Sequence, residues 1–471
     1  MNTNELIEKV NSDEIINQVK KYSQNADIYI VGGTIRDFYL GEKNTDKDII
    51  VVNADAETVA KNMAKSLDAT FVPLDDVNKI YRIVLPDKVN FIDVAGVIGD
   101  NLEDDLKRRD FTINSIAVNL KTMELIDLNN GLNDLKLKKI RHISEQNFVD
   151  DPLRLLRVYR FAATLGFELD SDLTQIIKNH APKINKIAVE RINYELLKMF
   201  SGDFASKMLE EMDKTGLLKE ILPVSQELKK IPPNSHHHLD LFSHSIETVR
   251  QIEIIYQNTS KEVKQHLQSV DFGGLSRLAH LKFAGFLHDI GKPQTWTIEQ
   301  DTGRHRFIKH DDTGAKLCTK ILKSNKFSKK QIEYIAKMIK FHIYPSNVVV
   351  TPDINEKVYM RFIRKMEADL IDIIILAMAD RYSARGVKIT EDIVNKNIKA
   401  LQALLDYYLN IKDSLQPLQK LLSGEEIMEI LNIKPSKALG EIIKTLKEEQ
   451  LSGNITTKQA AIDFITKNYM P

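Results

Sequence analysis

The feature that most limits the fold is a glycine pair set between an apolar run and a helical segment. Ile28-Tyr29-Ile30-Val31 is followed by Gly32-Gly33 and then by Thr34 to Leu40. The four apolar and β-favouring residues read as a strand, and two residues without side chains let the backbone turn directly into a helix. At that turn the first N–H groups of the helix are free, and a phosphate can approach the backbone closely. Arg36, one turn into the helix, would add a cation for the same triphosphate. Further strands are expected at 48–52, 79–85, 89–95 and 115–127, with a helix at 55–67, so a mixed sheet with helices should occupy roughly residues 25–135.

Carboxylates are spaced along those strands. In Asp46-Lys47-Asp48 the two acids are two residues apart, which on a strand turns both to one face. A third, Asp93, lies in the apolar run Phe91-Ile92-Asp93-Val94. Three acids converging on one point suit two Mg²⁺ ions about 3.5–4 Å apart, one activating an attacking hydroxyl and one holding a triphosphate. Alone, a Gly-Gly is usually a turn and an Asp-x-Asp usually a solvated loop. In the order strand, Gly-Gly, helix, Asp-x-Asp, third Asp, the set resembles the nucleotidyltransferase superfamily of DNA polymerase β.

Two motifs downstream narrow the resemblance. The first is Arg108-Arg109-Asp110-Phe111-Thr112-Ile113-Asn114, and the second is Asp151-Pro152-Leu153-Arg154-Leu155-Leu156-Arg157 with Arg160 beyond it. If the second is helical, Asp151, Arg154 and Arg157 share a face and offer both acceptors and donors, enough to read a base edge without a template strand. A surface ion-pair row is the plainer account of that segment taken alone. Together with the glycine pair and the carboxylates, these motifs resemble the class II tRNA nucleotidyltransferases (CCA-adding enzymes) and their bacterial poly(A) polymerase relatives. Val189-Glu190-Arg191 with Tyr194-Glu195 is similar to the next family motif, which stabilises the neck helices.

The resemblance implies an α+β protein: a polymerase-β-like head followed by an all-α neck, body and tail. It implies Asp46 and Asp48 as Mg²⁺ ligands, with Asp93 assisting deprotonation of a primer 3′ hydroxyl. Gly32, Gly33, Arg36, Arg108 and Arg109 would hold the triphosphate, and Asp110 and Asn114 would lie near the ribose. Asp151 and Arg154 would select C or A, supported by Arg157 and Arg160. CTP, ATP and tRNA are the implied partners. Asp150 stands where relatives usually carry Glu, and it is left out of the site. Only 14 residues, 94–107, separate Asp93 from Arg108. That short stretch is similar to relatives that add only two cytidines, so addition of CC and of CCA both stay open.

From about residue 150 glycine becomes scarce and helical periodicity dominates. A chain of 471 residues exceeds one core, and five segments are expected: an N-terminal helix at 1–24, the head at 25–135, a helical neck at 136–233, a second helical unit at 234–390, and a charged helical tail at 391–471. Pro232-Pro233-Asn234 marks the third boundary, just before His236-His237-His238, which reads as local structure. The second unit carries His244, His288-Asp289, His310, His342 and Asp380. Imidazoles and carboxylates suit a transition metal or Mg²⁺, although a lone helical histidine is usually structural. The ordered set resembles the HD-domain metal-dependent phosphohydrolases. By that resemblance His244, His288, Asp289 and Asp380 bind a first divalent metal, with His310 and His342 completing a second. Such domains in some tRNA nucleotidyltransferases cleave 2′,3′-cyclic phosphates or phosphomonoesters of damaged tRNA ends.

Composition sets outer limits. Basic and acidic residues number 66 each, against a protein that coats nucleic acid through excess charge, though a local basic groove stays open. One cysteine, Cys318, excludes a disulfide framework. The best apolar run, Leu370 to Ala379, carries Asp372 and reads as a buried helix, and the N-terminus has no signal-like core. A cytoplasmic enzyme with no membrane and no obligate protein partner is expected. The alternatives are a poly(A) polymerase of the same family, or an HD phosphohydrolase whose head only binds nucleotide or RNA.

Overall fold

A computed structural model describes residues 1–24, 26–75, 79–235, 237–350, 356–415, 420–451 and 453–470. His236, named above, lies outside them. The chain divides into two compact units, residues 1–223 and 224–471.

The first unit opens with two helices rather than the single one expected within 1–24: α1 (Thr3–Ser12) and α2 (Glu14–Lys20). Asp13 breaks the run. Its backbone is extended and its carboxylate accepts from the Ile16 N–H, so it caps α2. Next come β1 (Asp27–Val31), α3 (Gly33–Leu40), β2 (Asp46–Val52), α4 (Ala56–Ser66), β3 (Thr70–Asp75), β4 (Ile80–Val84), β5 (Phe91–Gly96), α5 (Leu102–Lys107), β6 (Ile116–Asn119) and β7 (Leu125–Asp127). They form one seven-stranded sheet in the order β3-β4-β5-β2-β1-β6-β7. Only the β2–β5 pairing is parallel, and it sets Asp48 directly opposite Asp93. The sheet is mixed, as expected. β3 escaped the sequence reading because it is a half-exposed edge strand interrupted by Pro73.

Helices follow. Leu153–Leu165 buries Leu155, Leu156, Val158, Tyr159 and Phe161 and packs on Val189–Ser201. Asp151 is not part of it. Pro152 caps this helix and holds the residue before it in an extended conformation (φ −135°, ψ 93°), so the expected single face of Asp151, Arg154 and Arg157 is a helix face only for the two arginines. A two-residue parallel ladder, Lys139–Ile140 with Glu168–Leu169, is the one strand pair of the neck among the described residues.

In the second unit, helices Leu241–Asn258, Arg277–Leu287, Lys329–Phe341 and Leu370–Ser383 pack together, the last buried along nearly its whole length. Among the described residues of 234–390, the one strand pair is an antiparallel hairpin, Trp296–Ile298 with His305–Phe307, set among helices. The tail has a small core of its own from Leu422, Ile427, Leu431, Ile442, Leu446, Ile455, Ala461 and Ile465. No helix of the described residues is long and apolar enough to cross a membrane.

Candidate functional site

The turn after β1 is built for close approach. Gly32 has φ +64°, and a Cβ there would stand 2.6 Å from a terminal nitrogen of Arg109. A Cβ on Gly33 would stand 3.3 Å from the Asp48 carboxylate. The glycine pair thus lets Arg109 and Asp48 crowd against one backbone turn. Thr34, the next residue, clamps the carboxylate strand: its hydroxyl accepts from Asp48 N (2.8 Å) and donates to the Asp46 carbonyl (3.2 Å).

The three carboxylates meet on one face of β2 and β5. Burial first, and then the neighbouring Asp46, push the Asp48 carboxyl up to about 7. Asp46 is raised as well, by burial and then by Asp93. Asp46 Oδ1 is buried without a hydrogen-bond partner. Crowded acids with an unpartnered oxygen are the donor set a divalent cation would neutralise. A residue the sequence reading missed sits among them: Arg82, opposite Asp93 on β4, donates Nε to Oδ1 and a terminal nitrogen to Oδ2, both at 2.7 Å. The same terminal nitrogen lies 3.5 Å from Asp46. A lone arginine in an apolar alternating strand was the available signal.

From this cluster a chain of polar contacts runs onward within the same unit. Arg36 donates to Asn114 Oδ1 (2.6 Å), Asn114 donates to Asp110 Oδ1 (3.0 Å), and Arg157 donates to Asp110 Oδ2 (2.6 Å). Asp110 is fully buried, yet Arg157 and Asn114 overcome the burial cost and hold its carboxyl down at about 2. Arg108, Arg109, Asp110, Asp151, Arg154 and Arg157 line one cavity of about 580 Å³. Arg108 and Arg109 are both oriented by Asp105, which is 1% exposed. Asp151 receives Arg191 at 3.1 Å. Arg160 does not line the cavity: it pairs with Glu195 (2.8 Å) and stacks on Phe161. Glu195, also 3.3 Å from Arg157, is the carboxylate that sets both arginines. Glu195 lay in a quoted motif, but nothing in its spacing assigned it a partner; Asp105 lies just upstream of Arg108, and its helical spacing of three and four to the two arginines was the available signal.

The second unit gathers all six of its expected residues. Nε2 of His244 is 3.2 Å from Nε2 of His288 and 3.2 Å from Asp380; Nε2 of His310 is 3.2 Å from Asp289 and 3.3 Å from His342. Asp289 stands between the groups: Oδ1 faces His310 (3.2 Å) and His342 (3.5 Å), and Oδ2 faces His288 (3.2 Å), His244 (3.5 Å) and the Lys292 ammonium (2.5 Å). Nδ1 of His288, His310 and His342 faces the carbonyls of Gly285, Phe307 and Ile339 at 2.7–2.8 Å, which turns each Nε2 inward. Three overlapping His/Asp groups here could each hold a metal ion. Buried carboxylate oxygens beside aligned imidazoles fit a divalent metal.

Residues 28–97 and 78–141 match the poly A polymerase head domain, 166–229 match a probable RNA and SrmB-binding site of polymerase A, and 241–385 match the HD domain. The A-adding tRNA nucleotidyltransferase of Deinococcus radiodurans is 30% identical over 93% of this chain and 94% of its own. The CC-adding tRNA nucleotidyltransferase of Thermus thermophilus is 29% identical over 93% of each. The Thermotoga maritima CCA-adding enzyme complexed with tRNA shares the fold, with a TM-score of 0.57 at 21% identity over 99% of this chain and 98% of that one. This chain belongs to the tRNA nucleotidyltransferase and poly A polymerase family.

Proposed function

We propose that the chain is a template-independent nucleotidyltransferase that adds C to tRNA 3′ ends from CTP, with ATP as a further substrate where CCA is completed. The observation that carries this is the parallel register of β2 and β5, which sets Asp48 against Asp93 with Asp46 beside them, under the Gly32-Gly33 turn. The N–H groups at Gly33 with Arg36 and Arg109 hold the triphosphate. Asp93 takes the proton of the primer 3′ hydroxyl as that oxygen attacks the α-phosphorus in line and pyrophosphate leaves. Mg²⁺ held by Asp46 and Asp48 would supply charge stabilisation for the transferring phosphoryl group. Asp151 and Arg154 present an acceptor and donors to the base edge, while Asp110 and Asn114 lie toward the ribose and Arg157 and Arg160 keep this wall in place. We place its action in the cytoplasm.

The stretch after Asp93 supports CC addition. It is used up by the end of β5 and by α5, whose Asp105 fixes Arg108 and Arg109, so little chain is left to reset base selection between C and A. The HD-type centre is read as a divalent-metal phosphohydrolase for damaged RNA ends.

The test uses tRNA ending at its discriminator base, with CTP alone and with CTP plus ATP, and sizes the product. Two additions with ATP present establish CC addition, and three establish CCA. No addition from CTP, with A added to a tRNA ending in CC, overturns C addition in favour of the A-adding relatives. Asp46→Ala is expected to abolish incorporation with the fold intact; retained extension sinks the reading.

A further inference from the structure

We infer that Arg82 is a positioning residue of nucleotide addition: its guanidinium fixes the plane of Asp93 and serves as the resident counter-charge of the carboxylate cluster, giving up Asp46 when a divalent cation enters. This rests on the nucleotidyltransferase reading of the head and adds how its three acids are held before metal and nucleotide arrive. The sheet supplies the layout. Arg82 pairs with Asp93 across the antiparallel β4–β5 ladder, and Asp93 pairs with Asp48 across the parallel β5–β2 ladder. The three side chains therefore form a row on one face, and Asp46, two residues before Asp48, shares that face.

The guanidinium is set in three ways. Its Nε and one terminal nitrogen donate to different oxygens of Asp93, both at 2.7 Å, a fork that fixes the position and the plane of the carboxylate. The same terminal nitrogen lies 3.5 Å from Asp46 Oδ2. The guanidinium carbon stands 5.0 Å from the centre of the Phe91 ring, which shares the strand face of Asp93. A surface ion pair is the plainer account of one arginine beside one aspartate. It does not explain the reach to Asp46, because β5 lies between β4 and β2 in the sheet and Arg82 has to cross over it.

The two carboxylates that Arg82 touches are held unequally. A carboxylate offers about four acceptor directions, and the fork takes two from Asp93, leaving the rest aimed at the site for a hydroxyl proton. Asp46 has only the 3.5 Å contact from Arg82, and its Oδ1 is buried with no hydrogen-bond partner. The Asp46 side chain is 50% exposed against 18% for Asp93, so it is also the easier of the two to reach. A cation held by Asp46 and Asp48 thus displaces a long pairing and leaves the fork in place. It enters beside a fixed positive charge, which opposes it. Charge and fork are therefore separable: the charge sets how readily the metal-free head takes a cation, and the fork sets how well Asp93 is aimed.

Arg82→Lys keeps the charge and loses the fork, whereas Arg82→Gln loses both. Mn²⁺ binding is titrated by calorimetry on the nucleotide-free full chain, in a His288→Ala background that silences the cluster of the second unit. Binding that disappears on adding Asp46→Ala belongs to the head. Arg82→Gln should bind Mn²⁺ there about tenfold more tightly, and Arg82→Lys within about twofold of the parent. On tRNA ending at its discriminator base, with the second cluster intact, both variants should lower kcat by about tenfold or more and change the KM for CTP by less than about twofold. An arginine that merely braced the sheet would change thermal stability and leave metal affinity alone. Unchanged or weakened Mn²⁺ binding by Arg82→Gln, or kcat retained by both variants, overturns the inference. If Arg82→Gln does not fold, Arg82→Lys decides: kcat lost at unchanged Mn²⁺ affinity supports the inference, and kcat retained overturns it. The two failures differ. A natural chain that extends no tRNA removes the nucleotidyltransferase reading, whereas an active natural chain with indifferent Arg82 variants removes only this inference.

Discussion

Asp48 is a carboxylate the fold places at a cost. Its carboxyl is raised from 3.8 to about 7 by burial and by Asp46. The folded chain therefore binds a proton there more tightly than the unfolded chain does, and stability falls as pH rises between those two values. Above about 7 the penalty is complete, on the order of 2–4 kcal/mol when no cation offsets it. Asp48→Asn should accordingly raise stability in EDTA at pH 8, have little effect near pH 4, and abolish nucleotide addition. Thermal unfolding at the two pH values checks this. Added Mg²⁺ should stabilise the natural chain and not the variant; equal stability of the two proteins at pH 8 would refute the crowding account. Asp46, Asp48 and Asp93 were legible as a set because strand alternation and order are properties of the sequence. Arg82 and Glu195 were not, because their roles depend on a partner across the sheet or on another helix. A pairwise contact between distant residues leaves no periodic trace.

At the scale of elements, the carboxylate strand β2 is tethered from behind. Lys47, between the two acids of β2, is 2% exposed and points away from them. Its ammonium meets Asp13 Oδ2 and the Asn44 carbonyl, each at 3.0 Å, and lies over the Phe38 ring. Asp13 also caps α2, so one residue both breaks the N-terminal helix and neutralises a buried cation. Asp13→Asn keeps a capping side chain but leaves Lys47 without its counter-charge, which should cost about 3 kcal/mol. Adding Lys47→Met should recover most of that loss, because it removes the stranded charge. Urea unfolding of the two single variants and the double variant measures the coupling; additive losses would show that the pair is incidental. The break at Asp13 was hard to read because apolar residues continue on both sides with helical spacing. The Asp151 reading went too far for a related reason: a spacing of three implies a shared face only inside a helix, and Pro152 starts that helix later.

For the whole molecule, the ordered motifs carried most of what sequence could give, since they named both the mixed-sheet head and the metal-suited cluster. The hairpin within the second unit was hidden because each of its strands is only three residues long. Each polar centre lies wholly within one compact unit, the carboxylates in residues 1–223 and the histidines in 224–471. Their chemistry should therefore separate by mutation. His288 is fully buried, and its Nε2 lies within 3.2–3.6 Å of His244, Asp289 and Asp380. His288→Ala removes a shared ligand and should lower transition-metal affinity by more than about 100-fold, judged against the 10–100-fold cost of losing mere supporting contacts. Asp46→Ala should keep that metal and lose nucleotide addition. The check is metal content per chain after gel filtration, set beside extension of tRNA by each variant. Metal lost from Asp46→Ala, or extension lost from His288→Ala with the chain still folded, would mean that the two centres act as one.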